Sequence, residues 1–138
     1  MICSKVLVPS GVLGLGFDIE ALKNGLNRKP DIISIDGGST DSGPYSLGSG
    51  TSKYSRSAIK SEWKILMKAR EEAKIPLLIG SSGTCGTDEM VDWMEDITIE
   101  LAEEMGQSIK ITKLYCEQDK EFIKTSFKNQ KISSLDPS

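Results

Sequence analysis

The chain contains no histidine, and this absence excludes several kinds of active site. Its 138 residues can form no Ser-His-Asp triad, no Cys-His pair and no zinc site with a histidine ligand. Acid–base chemistry would therefore fall to carboxylates, lysine, tyrosine or cysteine. Cysteine is also scarce, and Cys3, Cys85 and Cys116 form no C-x-x-C pair, so the sequence indicates neither a disulfide framework nor a zinc knuckle. A reducing cytoplasm fits this usage best.

Long apolar runs and a large excess of charge are missing too. No apolar stretch approaches the roughly 20 residues that cross a bilayer. The start "MICSKVLVPSG" has one lysine and a short apolar patch bounded by Pro9, which makes a poor signal peptide. The net charge of −3 gives no reason to expect a nucleic-acid partner. We expect one globular domain that binds neither membrane nor nucleic acid.

Short apolar runs alternate with amphipathic stretches along the whole chain. Strand-like runs cover residues 5–9, 31–36, 76–80 and 108–117, and helical patterns cover 17–26, 57–74, 90–105 and 119–130. The order β-α-β-α-β-α-β-α predicts an α/β fold, a three-layer (Rossmann-like) sandwich with a mostly parallel sheet of about four strands. We assign residues 1–130 to a single α/β domain, expected to be the amino-terminal part of a longer protein, and 131–138 to a polar tail.

Residues at two helix starts have the character of caps. Asp18 is the expected N-cap of the first helix, where Phe17 and Leu22 are spaced as a hydrophobic staple. Either Thr87 or Asp88 would cap the helix that follows the third strand.

Glycine and hydroxyl residues are concentrated in the loops that follow the first three strands. These loops cover residues 10–16, 36–50 and 80–88, whereas the helix-to-strand turns contain few chemically useful side chains. In an open parallel sheet, ligands bind beyond the carboxyl ends of the strands. The asymmetry therefore predicts a ligand site on that rim of the sheet.

The second loop, "DGGSTDSGPYSLGSG", offers carboxylates at a strand end. Asp36 could act as a general base, or Asp36 and Asp41 together could hold a divalent cation through oxygen ligands. The alternative is that both aspartates cap their own backbone turns. Tyr45 follows Pro44 and is expected to point inward as a hydrogen-bonding or stacking group, or to anchor the loop.

The third loop, "GSSGTCGTD", leads directly into a helix, whose free amides and dipole favour anions. Ser81, Ser82 and Thr84 would form an anion cradle with neighbouring amides, unless the loop serves only to cap the helix. Cys85 would feel the same dipole, which favours the thiolate and makes it a candidate nucleophile. Its alternative role is that of a small, half-buried loop residue.

The first loop, "SGVLGLGFD", begins at Ser10 and has the order G-x-x-G-x-G. A dinucleotide-binding turn requires G-x-G-x-x-G, so classical NAD binding is the less favoured interpretation. The glycines are better explained as tight backbone turns over the sheet end.

Three segments together resemble the acyclic terpene utilisation (AtuA-like) family. They are "VLVPSGVLGLGFDIEALKNGL", "PDIISIDGGSTDSGPYSLGSGTSKYSR" and "PLLIGSSGTCGTDEMVDW", and the resemblance runs from about Val6 to Trp93. The motifs that carry it are D-G-G-S-T-D-x-G-P-Y and G-S-x-G-T-x-G. Family members are larger, so the resemblance implies an amino-terminal segment. It also implies an association with the breakdown of acyclic terpenoids through acyl-CoA intermediates, by a reaction that is not settled.

These observations favour a metabolic enzyme, in acyl-CoA or hydroxy-acid metabolism, that acts on a small anionic or acyl-CoA-type substrate. The candidate catalytic residues are Asp36, Tyr45 and Cys85, and the candidate substrate-binding residues are Ser10, Gly37, Gly38, Ser39, Thr40, Asp41, Ser81, Ser82 and Thr84. The cofactor stays open between a divalent cation and a nucleotide or CoA moiety.

Two other functions fit the same sequence. The chain could be a non-enzymatic nucleotide- or metabolite-binding module that acts through a partner. It could instead be a scaffold or oligomerisation layer, partnered by a second copy or by the remainder of a longer chain, with its catalytic residues elsewhere. The last interpretation predicts exposed apolar sheet or helix surface.

Overall fold

A computed structural model describes residues 3–38 and 44–133 of the chain. These residues form three strands and five helices: β1 (Val6–Leu7), α1 (Ile19–Leu26), β2 (Ile32–Asp36), α2 (Tyr45–Ser49), α3 (Arg56–Ala73), β3 (Leu77–Gly80), α4 (Asp88–Met105) and α5 (Lys120–Lys128). None of these helices has both the length and the apolar character needed to cross a bilayer.

The strands form one parallel sheet in the order β1-β2-β3, with β2 at the centre. Val6 lies beside Ile32 at one side of β2, and Ile33 lies beside Leu77 at the other. The α/β class with a parallel sheet is therefore confirmed.

Residues 108–117, the expected fourth strand, form no strand in the described structure. Its side chains are bonded to α4 instead. The ammonium of Lys113 donates to Asp92 Oδ1 (2.9 Å) and Glu95 Oε2 (2.6 Å), and the hydroxyl of Tyr115 also donates to Asp92. These contacts hold the segment against the helix, where its backbone forms no ladder with β3.

Helices α1, α3 and α4 pack on the same face of the sheet. The buried apolar side chains form a single cluster to which β2, α1, α3 and α4 all contribute. Ile33 and Ile35 of β2 point into this cluster and are 0% and 3% exposed. Because side chains alternate along a strand, their neighbours point to the other face, where Val6 and Leu78 are 57% and 54% exposed. The described residues thus make two layers, and the expected three-layer, Rossmann-like arrangement is not observed among them.

The helix termini follow the capping residues of the sequence. Asp18 accepts a hydrogen bond from the amide of Ala21 (2.7 Å), Leu22 is buried, and Phe17 packs against the same core, which confirms the predicted cap and agrees with the staple. Of the two candidates for α4, Thr87 is the cap, since its hydroxyl accepts from the amide of Met90 (3.3 Å).

Helices α3 and α4 are joined by a network of ion pairs along their outer side. Lys60 bonds to both Glu100 and Glu104, and Lys64 donates to the second oxygen of Glu104 (2.7 Å). The hydrogen bonds from Lys60 and Lys64 lower the pKa of Glu104 from 4.5 to about 2. Exposed pairs contribute little individually, but here each carboxylate has two cationic partners.

We expect acid to weaken the fold through this network. Glu104 has a lowered pKa in the folded chain, so its contribution is present above about pH 4.5 and is lost as the pH falls toward about 2. The urea midpoint of the wild type should fall over that range, and Glu104→Gln should flatten the fall and lower the midpoint at neutral pH.

Glu103→Gln is the matched control, because Glu103 is exposed and forms no ion pair with a described residue. The control should keep the wild-type pH profile. An unchanged acid slope in Glu104→Gln would contradict the assignment.

Candidate functional site

The three strand-end loops meet at the end of β2, as the strand order predicts. The amide of Leu13, in the first loop, donates to the carbonyl of Asp36 (2.8 Å). The amide of Gly37 donates to the carbonyl of Gly80 (2.6 Å), and the amide of Thr84 donates to the carbonyl of Gly37 (3.1 Å). Backbone hydrogen bonds therefore join all three loops into one rim.

Gly37 and Gly38 permit this close approach because they have no side chain. A Cβ at Gly37 would lie 2.8 Å from the carbonyl oxygen of Gly80, and a Cβ at Gly38 would overlap Cα of Thr84. The amide of Gly38 donates to Asp36 Oδ1 (2.9 Å). Both glycine amides thus have partners within the rim, and the predicted substrate contacts of these two residues stay predictions.

Asp36 is exposed at the end of β2, and its carboxylate caps the turn at Gly38. This is the backbone-capping role that the sequence left open as the alternative to metal binding. Ser39, Thr40 and Asp41 lie outside the described residues, so the Asp36–Asp41 cation site stays a prediction. Residues 3–38 and 44–133 contain no group of three or more acidic, cysteine or histidine side chains that could hold a metal ion.

The third loop is tightly wound over the rim. Ser81, Gly83, Thr84 and Gly86 all have positive φ, between 48° and 76°. Thr84 is 1% exposed, and its hydroxyl accepts from the amide of Lys53 (3.0 Å), which fixes the segment before α3. Its ligand contact stays a prediction. Ser82 is 7% exposed and Ser81 is half-buried.

A groove of about 800 Å³ runs from this loop along the outer edge of β3. It exists because β3 pairs with β2 alone among the described residues, while residues 109–116 run along the other side of the opening without pairing. Ser81, Ser82 and Cys85 lie at its rim end, and its walls are mainly apolar, with Trp63, Met67, Leu78, Met94, Ile109 and Ile111 among the lining residues. Sequence reasoning missed the groove, because it depends on a pairing that the chain does not make.

Charges near the groove are of both signs. Hydrogen bonds to Glu95 and Asp92 raise the pKa of Lys113, and Tyr115 together with Lys113 lowers the pKa of Asp92. Asp88 and Glu89 occupy the first turn of α4. Their negative charge opposes the attraction of that helix terminus for anions, so the hydroxyls and amides of the loop must supply more of any anion binding.

The first loop already holds a carboxylate, and it belongs to the chain itself. The amides of Gly14 and Gly16 donate to the two oxygens of Glu62 on α3, each at 2.7 Å. Sequence reasoning missed Glu62, because one glutamate in a charged amphipathic helix has no distinguishing signal. Within the part of the chain that the structure describes, the Ser10 side chain bonds to Val12 alone: its hydroxyl donates to the carbonyl of Val12 (2.8 Å) and accepts from the amide of the same residue (3.2 Å).

The two remaining candidates differ in their surroundings. Tyr45 is the first residue of α2 and is 80% exposed, so its expected inward orientation is wrong. The cause is the unexpected helix α2, which begins directly after Pro44 and turns the ring to solvent. Cys85 is half-buried at the groove, with Sγ 3.5 Å from the hydroxyl of Thr87.

Comparison of the chain with protein-family models, curated proteins and solved structures gives no match. The resemblance to the AtuA-like family therefore stays a prediction from the motifs.

Gly38→Ala should destabilise the protein by about 3 kcal/mol, since the added methyl group collides with backbone that neither loop can move easily. Gly48→Ala is the matched control, because a Cβ there meets nothing within 4 Å and lies in helix α2. The control should be neutral or stabilising by up to about 1 kcal/mol. Urea unfolding followed by tryptophan fluorescence measures both, and equal midpoints would contradict the close packing of the rim.

Glu62→Gln should cost about 1–3 kcal/mol, because an amide can accept only one of the two hydrogen bonds and lacks the charge. Glu72→Gln on the same helix is the control, since Glu72 is exposed and has no ion pair with a described residue. Amide hydrogen exchange at Gly14 and Gly16 gives a local readout. Unchanged exchange in Glu62→Gln would show that the carboxylate does not hold this loop.

Proposed function

We propose that this chain binds a small ligand with an anionic or polar head and an apolar part, such as an acyl-CoA-type thioester. The observation that carries the proposal is the groove of about 800 Å³, which has mainly apolar walls and opens at Ser81, Ser82 and Cys85. Its volume lies within the range of about 300–1,000 Å³ usual for small-molecule sites.

The two ends of the groove suit the two parts of such a ligand. Apolar side chains of β3, α4 and residues 109–111 would cover a hydrocarbon chain, which gains about 25 cal/mol per Å² removed from water. The hydroxyls of Ser81 and Ser82 would bond the head group at the rim. The predicted substrate contacts of Ser39, Thr40 and Asp41 belong to this proposal, and a nucleotide or CoA moiety would lie outside the groove.

Asp36 and Cys85 are the groups available for catalysis in this proposal. Asp36 would take up a proton or hold a cation, and Cys85 would face the bound head group. In this proposal the chain is part of a metabolic enzyme of the AtuA-like family, with a Rossmann-like sheet. A non-enzymatic binding module keeps the same groove but needs no role for Asp36.

Decanoyl-CoA, decanoate and CoA are suitable probes of the full chain. Decanoyl-CoA should raise the melting temperature and change the fluorescence of Trp63, which is 4% exposed and lines the groove. Ile111→Asp should weaken its binding at least about tenfold by placing a charge on the apolar wall. Leu47→Asp is the control, because Leu47 is 63% exposed on α2, away from the groove lining.

Asp36→Asn distinguishes the enzyme from the non-enzymatic binding module. Loss of binding or turnover favours the enzyme, and binding that survives without turnover favours the module. If none of the three probes changes the melting temperature, the ligand site is excluded for this ligand class. Equal stabilisation by CoA and by decanoyl-CoA would contradict a role for the groove, because the acyl chain would then add nothing.

A further inference from the structure

One face of the sheet has no covering layer in the described chain. We call it the outer face and define it by Val6, Ile32, Ser34 and Leu78, strand side chains that alternate with the more buried positions, together with Val8, which follows the end of β1. Asp36 continues the same alternation at the rim end of β2 and is charged; the other positions are uncharged, and Val6, Val8 and Leu78 are 57%, 59% and 54% exposed. All-parallel sheets occur almost only with both faces covered, so this face needs a partner.

Helix α5 has an apolar side that the described residues leave exposed. Phe122, Ile123 and Phe127 lie on one side and are 59%, 41% and 69% exposed. The other side has charged residues: Lys120, Glu121, Lys124 and Lys128. No residue of α5 is buried. A nine-residue helix is marginal in water without packing, so α5 requires a surface.

The outer face and α5 match in chemistry and in size. Three strands spaced about 4.8 Å apart make a surface about 10 Å wide, and nine helical residues are about 13 Å long. The charged side of α5 would stay in water after docking.

In this structure α5 is not docked on the outer face of its own chain, because the apolar side chains of both surfaces are exposed. Lys113 is bonded to Asp92 and Glu95 on the helix-covered side, and the amide of Glu117 donates to Asp88 Oδ1 (3.4 Å). Three residue steps separate Glu117 from Lys120 and span at most about 10 Å. These bonds therefore keep α5 close to the start of α4, with its apolar side chains exposed.

We propose that the outer face is the docking surface for α5 of a second copy of this chain. Exchange of α5 between two copies gives a two-fold symmetric dimer with two identical helix-on-sheet contacts. The dimer completes the missing layer of each sheet. Leu78 belongs to both the outer face and the groove wall, so the dimer is tested at Val8 and Phe127, which do not line the groove.

Sedimentation velocity of the full chain over a wide concentration range tests the dimer. The wild type should dimerise, and Val8→Glu and Phe127→Glu should each weaken dimerisation by about 30-fold or more. Both side chains are exposed in the single chain, so the variants should keep the wild-type circular dichroism spectrum. Leu47→Glu, at an exposed site on α2, should leave the dimer intact.

Disulfide trapping tests which copy supplies the helix. In a background with the three native cysteines replaced by serine, a Val8→Cys chain mixed with a Phe127→Cys chain should form a disulfide between the two chains. A monomer at every concentration would overturn the proposal, as would a dimer that survives both glutamate variants. A double variant that links only within one chain, as a monomer, would also overturn it and would place α5 on its own sheet.

Discussion

The close approach of three backbones at the end of the central strand is the constraint on which the rim depends. Gly37 lies between Gly80 and Thr84, bonded to both, and the first loop is bonded to the carbonyl of Asp36. Positive φ angles in the third loop allow its chain to fold back over this point. Once these loops are packed together, the start of α4, the groove and Cys85 all have defined positions relative to β2.

Local features were predictable where one residue or one short pattern determines them. The caps at Asp18 and Thr87, the two long helices and the clustering of the strand-end loops all follow from side-chain chemistry that acts over a few residues. The expected fourth strand failed because its apolar alternation has to compete with the bonds of Lys113 and Tyr115 to α4, which the sequence pattern does not reveal.

In the candidate site, too, some features could be predicted from the sequence and others could not. Asp36, Ser82 and Thr84 were correctly expected at the rim, because the strand order places them there. Their hydrogen bonds were not predictable, since the partner of Thr84 comes from the segment before α3. The orientation of Tyr45 depended on a five-residue helix with no amphipathic signal, so the residue type alone could not give it.

The carboxylate of Glu62 occupies the amides of the first loop and competes there with any anion from solution. This carboxylate is tethered to α3 and bonded to the amides of Gly14 and Gly16, so an anion from solution meets an intramolecular rival with an effective concentration in about the millimolar range or above. A weakly bound carboxylate cannot displace it, and a pyrophosphate could do so only by releasing the loop from the helix. The amides of Gly14 and Gly16 in the first loop are thereby satisfied by the fold itself.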